Sequence, residues 1–195
     1  MTPVLTREQL EDRLAALHRA SLELIQDTSL SSLLERIARI TCQQAGAQYA
    51  AVGVLDENGA LAQFISIGMT PAEVKRMGHP PVGKGLIGAL MHGDEPIRIP
   101  DIAADPRRSG FPLHHPSMTS FLGVPIRQGE RQLGQIYLTN KLDAPEFAPE
   151  DQQIIETLAA YAAIAIANAK LYEELTQRDQ VLTRRSENLA LLNTL

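Results

Sequence analysis

His115 and Tyr137 are the two side chains of this sequence whose types and setting suit ligand chemistry. His115 lies in the loop run Phe111-Pro-Leu-His-His-Pro-Ser-Met-Thr-Ser-Phe-Leu-Gly-Val-Pro125, just ahead of a hydrophobic strand. An imidazole ligates a metal when it is neutral and held on a rigid approach, and Pro116 restrains His115 to extended backbone. Side chains alternate along an extended segment, so His114 points away from whatever His115 faces. Tyr137 follows 22 residues later, in Gly134-Gln-Ile-Tyr-Leu-Thr139. There Ile136 and Leu138 share one strand face while Gln135, Tyr137 and Thr139 share the other, giving the sheet an apolar side and a mixed side. A phenol on the mixed side has one hydrogen bond to donate. Gly123, on the neighbouring strand, leaves space beside it. The plain alternatives are a loop histidine at the surface and a strand tyrosine used for packing.

The elements that position these residues follow from periodicity. Leu10, Leu14, Leu17 and Leu24 recur at helical spacing over residues 6–27, and a second amphipathic stretch runs from Leu30 to Ala45 before Gly46. Strands are expected at Tyr49–Leu55 and Leu61–Ile67 around the turn signal Asp56-Glu-Asn-Gly59. Short helices at Pro71–Met77 and Leu86–Met91, a strand at Pro96–Ile99 and a loop over 101–118 come next. Strands Thr119–Arg127 and Arg131–Asn140 precede a helix that starts after Pro149 and runs to the end. The order is α+β, strands between flanking helices. In the tail, Leu175, Leu182 and Leu189 recur every seven residues, with Leu171, Arg178, Arg185 and Leu192 at the companion position. This is a parallel coiled-coil pattern weakened by two arginines. Leu14-Ala-Ala-Leu-His-Arg-Ala20 faintly repeats in Leu189-Ala-Leu-Leu-Asn-Thr-Leu195, as if another copy of the domain followed.

Composition narrows the function classes. A net charge of −5, four Phe, four Tyr and no Trp disfavour nucleic-acid binding. One cysteine, Cys42, forms no disulfide within the chain, and no leader or spanning run is expected, so the reading is cytoplasmic, without membrane insertion. His18, His79 and His92 show no zinc-ligand spacing with Cys42. Gly83-Lys-Gly85-Leu-Ile-Gly88 fits G-x-G-x-x-G but lacks a surrounding βαβ unit, so these glycines are expected to shape a loop. Nucleophile-elbow, zinc-protease, P-loop and kinase signatures are absent, and no catalysis is expected.

Three runs in order, Val82-Gly-Lys-Gly-Leu-Ile-Gly88, Gly93-Asp-Glu-Pro-Ile-Arg-Ile-Pro-Asp-Ile-Ala-Ala-Asp-Pro-Arg107 and Ser120-Phe-Leu-Gly-Val-Pro-Ile126, resemble the GAF domain, a small-molecule sensor module of signalling proteins. The resemblance implies a central antiparallel sheet, long N- and C-terminal helices on one face, and loops and short helices forming a ligand pocket on the other. It divides the chain into a lead-in over 1–13, the sensor domain over 14–172 and a signalling helix over 173–195. Asn140-Lys141, Phe147 and Asp151 resemble the Asn-Lys…Phe…Asp-Glu motif of GAF domains that bind cyclic nucleotides, with Gln152 in place of the last acid. A Lys141–Asp151 ion pair is expected there as a structural lock. The spacing of His115 and Tyr137 around Phe-Leu-Gly-Val-Pro125 also resembles the haem-binding first GAF domain of dormancy-survival sensor histidine kinases. That resemblance implies haem b on His115, a dioxygen, nitric oxide or carbon monoxide ligand near Tyr137, room for the macrocycle at Gly123, and His114 at a propionate or in solvent. It further implies a homodimer through the C-terminal helix and a downstream signalling domain. A haem-free dimerising relay, and a GAF domain for a cyclic nucleotide or another small organic ligand, stay open beside it.

Overall fold

The structure is a computed structural model that describes residues 29–77, 83–110 and 115–192. The expected helix over 6–27, the first half of the faint repeat, and His114 lie outside the described residues.

Helix α1 (Leu30–Gln44) turns Leu30, Leu33, Leu34, Ile37, Ala38 and Thr41 inward as one buried stripe at spacings of three and four. Thr41 can join that stripe because its hydroxyl donates back to the Ile37 carbonyl at 2.8 Å. The helix stops at Gly46, whose φ of +57° is the left-handed conformation that glycine takes without penalty. Strands β1 (Ala47–Leu55) and β2 (Leu61–Ile67) form the expected hairpin. The Asp56 carboxylate accepts the Asn58 and Ala60 N–H groups at 2.8 and 2.9 Å and shapes its turn. Helices α2 (Pro71–Met77) and α3 (Gly85–His92), strand β3 (Ile97–Ile99), a 3-10 turn at Ile102–Ala104, strands β4 (Phe121–Gln128) and β5 (Arg131–Lys141), and helix α4 (Pro149–Leu192) complete the order.

Every expected strand and helix within the described residues is present, with strand ends and short-helix ends inside two residues of expectation. Strand β4 begins two residues late for a physical reason. The Thr119 N–H is taken by the Asn140 side chain at 2.8 Å and its carbonyl by the Ile102 N–H at 2.8 Å, so neither group joins the ladder. The same bond to Ile102, a buried residue, pins the start of the long loop to the sheet.

The five strands pair antiparallel in the order β2-β1-β5-β4-β3. Val52, Ile136 and Val124 lie abreast on β1, β5 and β4, and one residue along so do Ala51, Tyr137 and Gly123. The first row belongs to the main core, where α1 and α4 cover the sheet with Leu34, Ile37, Leu158 and Ile166. From the second row, Ala51 and Tyr137 belong to a smaller cluster with Leu86, Leu90, Ile99, Ile102 and Phe121. This is the expected α+β GAF arrangement: a five-stranded antiparallel sheet with N- and C-terminal helices packed together on one face. Helix α4 comes close to the sheet because Ala159, Ala162, Ala163 and Ala169 line its buried side. By length and composition it could cross a membrane, yet Ile155, Leu158 and Ile166 on that side are part of the core. The helix continues unbroken through residues 172 and 173, where the domain was expected to give way to a coiled coil.

The expected lock is present where β5 ends and α4 begins. Lys141 Nζ donates to Asp151 Oδ1 at 3.2 Å and to the Ala45 carbonyl at 2.9 Å, with Asp143 at 3.1 Å on the solvent side. Asp151 returns its second oxygen to the Ala148 N–H at 2.8 Å, the reciprocal contact of a capping box, and Pro149 fills the first helical position. One lysine thus ties α1, β5 and α4. Lys141→Met should lower the unfolding free energy by about 3 kcal/mol, because it strands a buried carboxylate. An unchanged urea midpoint would show the pair to be dispensable.

Candidate functional site

The face of the sheet opposite α1 and α4 carries the candidate site. Tyr137 is 5% exposed, its ring tilted against Phe64 and Phe121 at centroid distances of 6.3 and 6.4 Å. Its hydroxyl donates to Gln135 Oε1 at 3.0 Å. Burial pushes the phenol pKa well above its ordinary range, so the group stays protonated at neutral pH. Gln135 is fully buried, and neither its Nε2 nor the Thr139 hydroxyl has a hydrogen-bond partner among the described residues.

His115 is half-buried at the start of the segment that leads into β4. Its Nδ1 lies 2.9 Å from the Pro116 carbonyl, which can only accept, so Nδ1 is the donor in that contact. Just beyond, Asn140 clamps the same segment. Its Oδ1 accepts the Thr119 N–H, and its Nδ2 donates to the Ser117 carbonyl and to Gln48 Oε1, both at 3.0 Å. Asn140 does this from a φ of +59°, a left-handed conformation that asparagine tolerates better than most side chains.

The space expected over Gly123 is filled. A β-carbon there would meet Leu90 Cδ2 and the Phe121 ring at 2.8 Å, so the glycine seats an aromatic ring flat on β4. Gly53 on β1, directly opposite Gln135, likewise makes room for its neighbours. A β-carbon at Gly53 would come within 2.7 Å of Leu61 Cδ1 and 3.3 Å of Gln135 Oε1. The glycine run 83–88 closes on itself, since a β-carbon at Gly88 would lie 2.1 Å from the Gly83 carbonyl, and helix α3 starts at Gly85. It shapes a loop, as expected. Cys42 sits on α1, packs against the main core, and donates to the Ala47 carbonyl at 3.0 Å; burial raises its thiol pKa. It does not reach the Tyr137 face.

The sequence singles out His115 and Tyr137 but gives no role to Gln135, Gly53 or, beyond the nucleotide motif, Asn140. Gln135 had a visible signal: a polar residue in step with Tyr137 on a strand paired on both edges. Gly53, a glycine between two valines inside a strand, had one too.

A family model described as "GAF domain" matches residues 27–167. The chain belongs to the GAF domain family. It is a sensor or regulatory domain of a signalling protein. It is 22% identical over 195 residues to the Nif-specific regulatory protein of Herbaspirillum seropedicae, covering 93% of this chain and 36% of that protein. It is 25% identical over 107 residues to the cone cGMP-specific 3',5'-cyclic phosphodiesterase subunit alpha' of Mus musculus, covering 52% of this chain and 12% of that protein. The chain therefore spans about a third or less of these two relatives. The crystal structure of the GAF domain from Acinetobacter phosphoenolpyruvate-protein phosphotransferase superposes with a TM-score of 0.68 at 23% identity, covering 86% of this chain and 97% of that one. At that identity the likeness speaks for the fold alone.

The raised phenol pKa has a consequence for stability. The unfolded chain releases this proton near the ordinary tyrosine value of about 10 while the folded chain keeps it, so stability is complete below that pH and falls above it. Tyr137→Phe should flatten the decline in urea midpoints between about pH 8 and about pH 11. Equal slopes in the two proteins would contradict the burial argument.

Proposed function

We propose that this GAF domain is a haem-based sensor of a diatomic gas or of redox state, within a bacterial signal-transduction protein of the histidine kinase kind. The observation that carries the reading is the contact that orients His115. The Pro116 carbonyl accepts from Nδ1 at 2.9 Å, the kind of backbone hydrogen bond that fixes the ring of a metal-ligating imidazole, and Nε2 is the proposed ligating atom. Asn140 braces the segment two to four residues further on, which holds that approach steady.

The residues fit haem b in their chemistry. The cluster around Tyr137 is apolar, with Phe64, Leu90, Ile99 and Phe121, the kind of lining that suits a hydrophobic macrocycle and excludes water. Haem, when bound, supplies an iron that takes a diatomic ligand or changes oxidation state. The chain's own part is then to hold the group through His115, to keep water from the face, and to present the buried polar pair Gln135 and Tyr137. This is sensing without catalysis, in the cytoplasm. A cyclic nucleotide is less well served, because Lys141 and Asp151 are committed to each other.

Output passes to α4, whose inner side packs on the strands that carry the site. A ligand biases that helix only by the difference in its affinity for two helix arrangements. The proposed partner is a second copy of the chain. On the outer side of α4, Tyr161, Ile164, Leu171, Leu175 and Leu182 are 41%, 54%, 57%, 60% and 62% exposed. With Asn168 and Arg178 they alternate at spacings of three and four, so the seam begins on the domain itself and runs into the tail.

Haemin added to the purified protein should give a stoichiometric Soret band in the unmodified chain, and His115→Ala should lose it. Full, spectrally unchanged occupancy in the variant would show the ligand assignment to be wrong. Independently, Leu171→Asp combined with Leu175→Asp should convert a dimer to a monomer in light-scattering measurements while haem binding persists. A variant that remains dimeric would remove the outer seam as the interface.

A further inference from the structure

Each end of strand β1 is tied to α4 through a lysine. Just before its start, Lys141 donates to the Ala45 carbonyl and closes on the Asp151 carboxylate of α4. At its end, Lys170 of α4 donates to the Leu55 carbonyl at 2.9 Å. The β1–β5 pairing stops with Val54 opposite Gly134, so this carbonyl lies one residue past it, on a residue only 4% exposed. A buried carbonyl needs a donor, and here the donor comes from another element. The two ties differ in strength, since Lys141 meets a carboxylate and Lys170 a neutral oxygen. Burial, with Arg131 nearby, holds the Lys170 amine below its ordinary pKa, and Asp56, Glu57 and Glu173 offset this only in part. Lys170 is also the last half-buried residue of α4, because from Leu171 to Leu182 every residue is exposed. A helical stretch without packing is held by its own backbone bonds and is marginal, so the contact that ends the packed part decides where opening begins. The other partner is equally placed. Leu55 leads into the turn at Asp56 and pairs with Leu61 on β2, the strand whose Phe64 lies against the Tyr137 ring.

We propose that Lys170 is a latch by which the β1–β2 hairpin holds α4, so that a shift of the hairpin at Leu55 loosens or tightens the helix where it leaves the domain. A change at the Tyr137 face then has a route to the exit of α4 besides packing through the sheet. The latch goes beyond the sensor reading and needs no particular ligand.

The test is backbone hydrogen exchange in the full chain without added ligand, comparing the unmodified protein with Lys170→Met, Lys170→Arg, Gly59→Val and the Lys170→Met, Gly59→Val pair. Gly59 takes a φ of +78° in the turn after Leu55, with nothing within 4 Å of a β-carbon, so a side chain there strains the turn without a collision. Lys170→Met should speed exchange over residues 167–174 about tenfold, the worth of one hydrogen bond, and leave the Ile136 and Leu138 amides of the core unchanged. Lys170→Arg, which keeps a charged donor, should restore most of that protection. Gly59→Val should also speed exchange at the exit of α4, and in the Lys170→Met background it should add nothing there. The latch is overturned if Lys170→Met leaves residues 167–174 as protected as before, if it speeds the core amides equally, or if the two substitutions act additively. Because the measurement uses haem-free protein, it stands or falls apart from the Soret test.

Discussion

Strand β5 is hydrogen-bonded along both edges, to β1 and to β4, and its side chains must alternate between the two faces of the sheet. That constraint organises the molecule. Ile136 and Leu138 go to the main core, and Gln135, Tyr137 and Thr139 go to the other side. A slip of one residue would bury a phenol and two polar side chains under the helices and turn two aliphatic groups onto the site. The register that builds the core is therefore the register that builds the site.

The end of β5 extends this economy to the loops. Adjacent residues reach in opposite directions: Asn140 holds the Ser117–Thr119 segment and Lys141 holds the start of α4. The left-handed φ at Asn140 turns the chain between the two tasks. A likeness to a nucleotide-binding motif is thus accounted for by what the pair does within the fold. The loop that carries His115 and the helix that leaves the domain are anchored at neighbouring peptide units, so a displacement of one is felt by the other.

Much of the architecture is legible in the sequence because alternation and helical spacing are local signals. The Asn58-Gly59 turn, the stripe of α1 and the two faces of β5 can each be read within a dozen residues. The role of Gly123 cannot, because whether a glycine makes space depends on which side chains lean over it. Phe121, two residues before it on the same strand, and Leu90 from α3 take that space. The setting of the Gln135 amide depends on the Tyr137 hydroxyl and on a glycine some eighty residues earlier in the chain, a meeting that only the β1–β5 pairing brings about. The Asn140 clamp likewise joins Gln48, Ser117 and Thr119, which no local pattern connects.

Helix α4 has no break between its buried first half and the exposed stretch over 171–182. Its 44 residues, at about 1.5 Å of rise each, make a rod of about 66 Å. An uninterrupted ladder of backbone hydrogen bonds resists bending and twisting, and glycine and proline, the usual places for a joint, are absent after Pro149. Such a rod has no hinge in which a small motion can be absorbed. A rotation imposed on it by the sheet reappears at its far end as a change of angle and position.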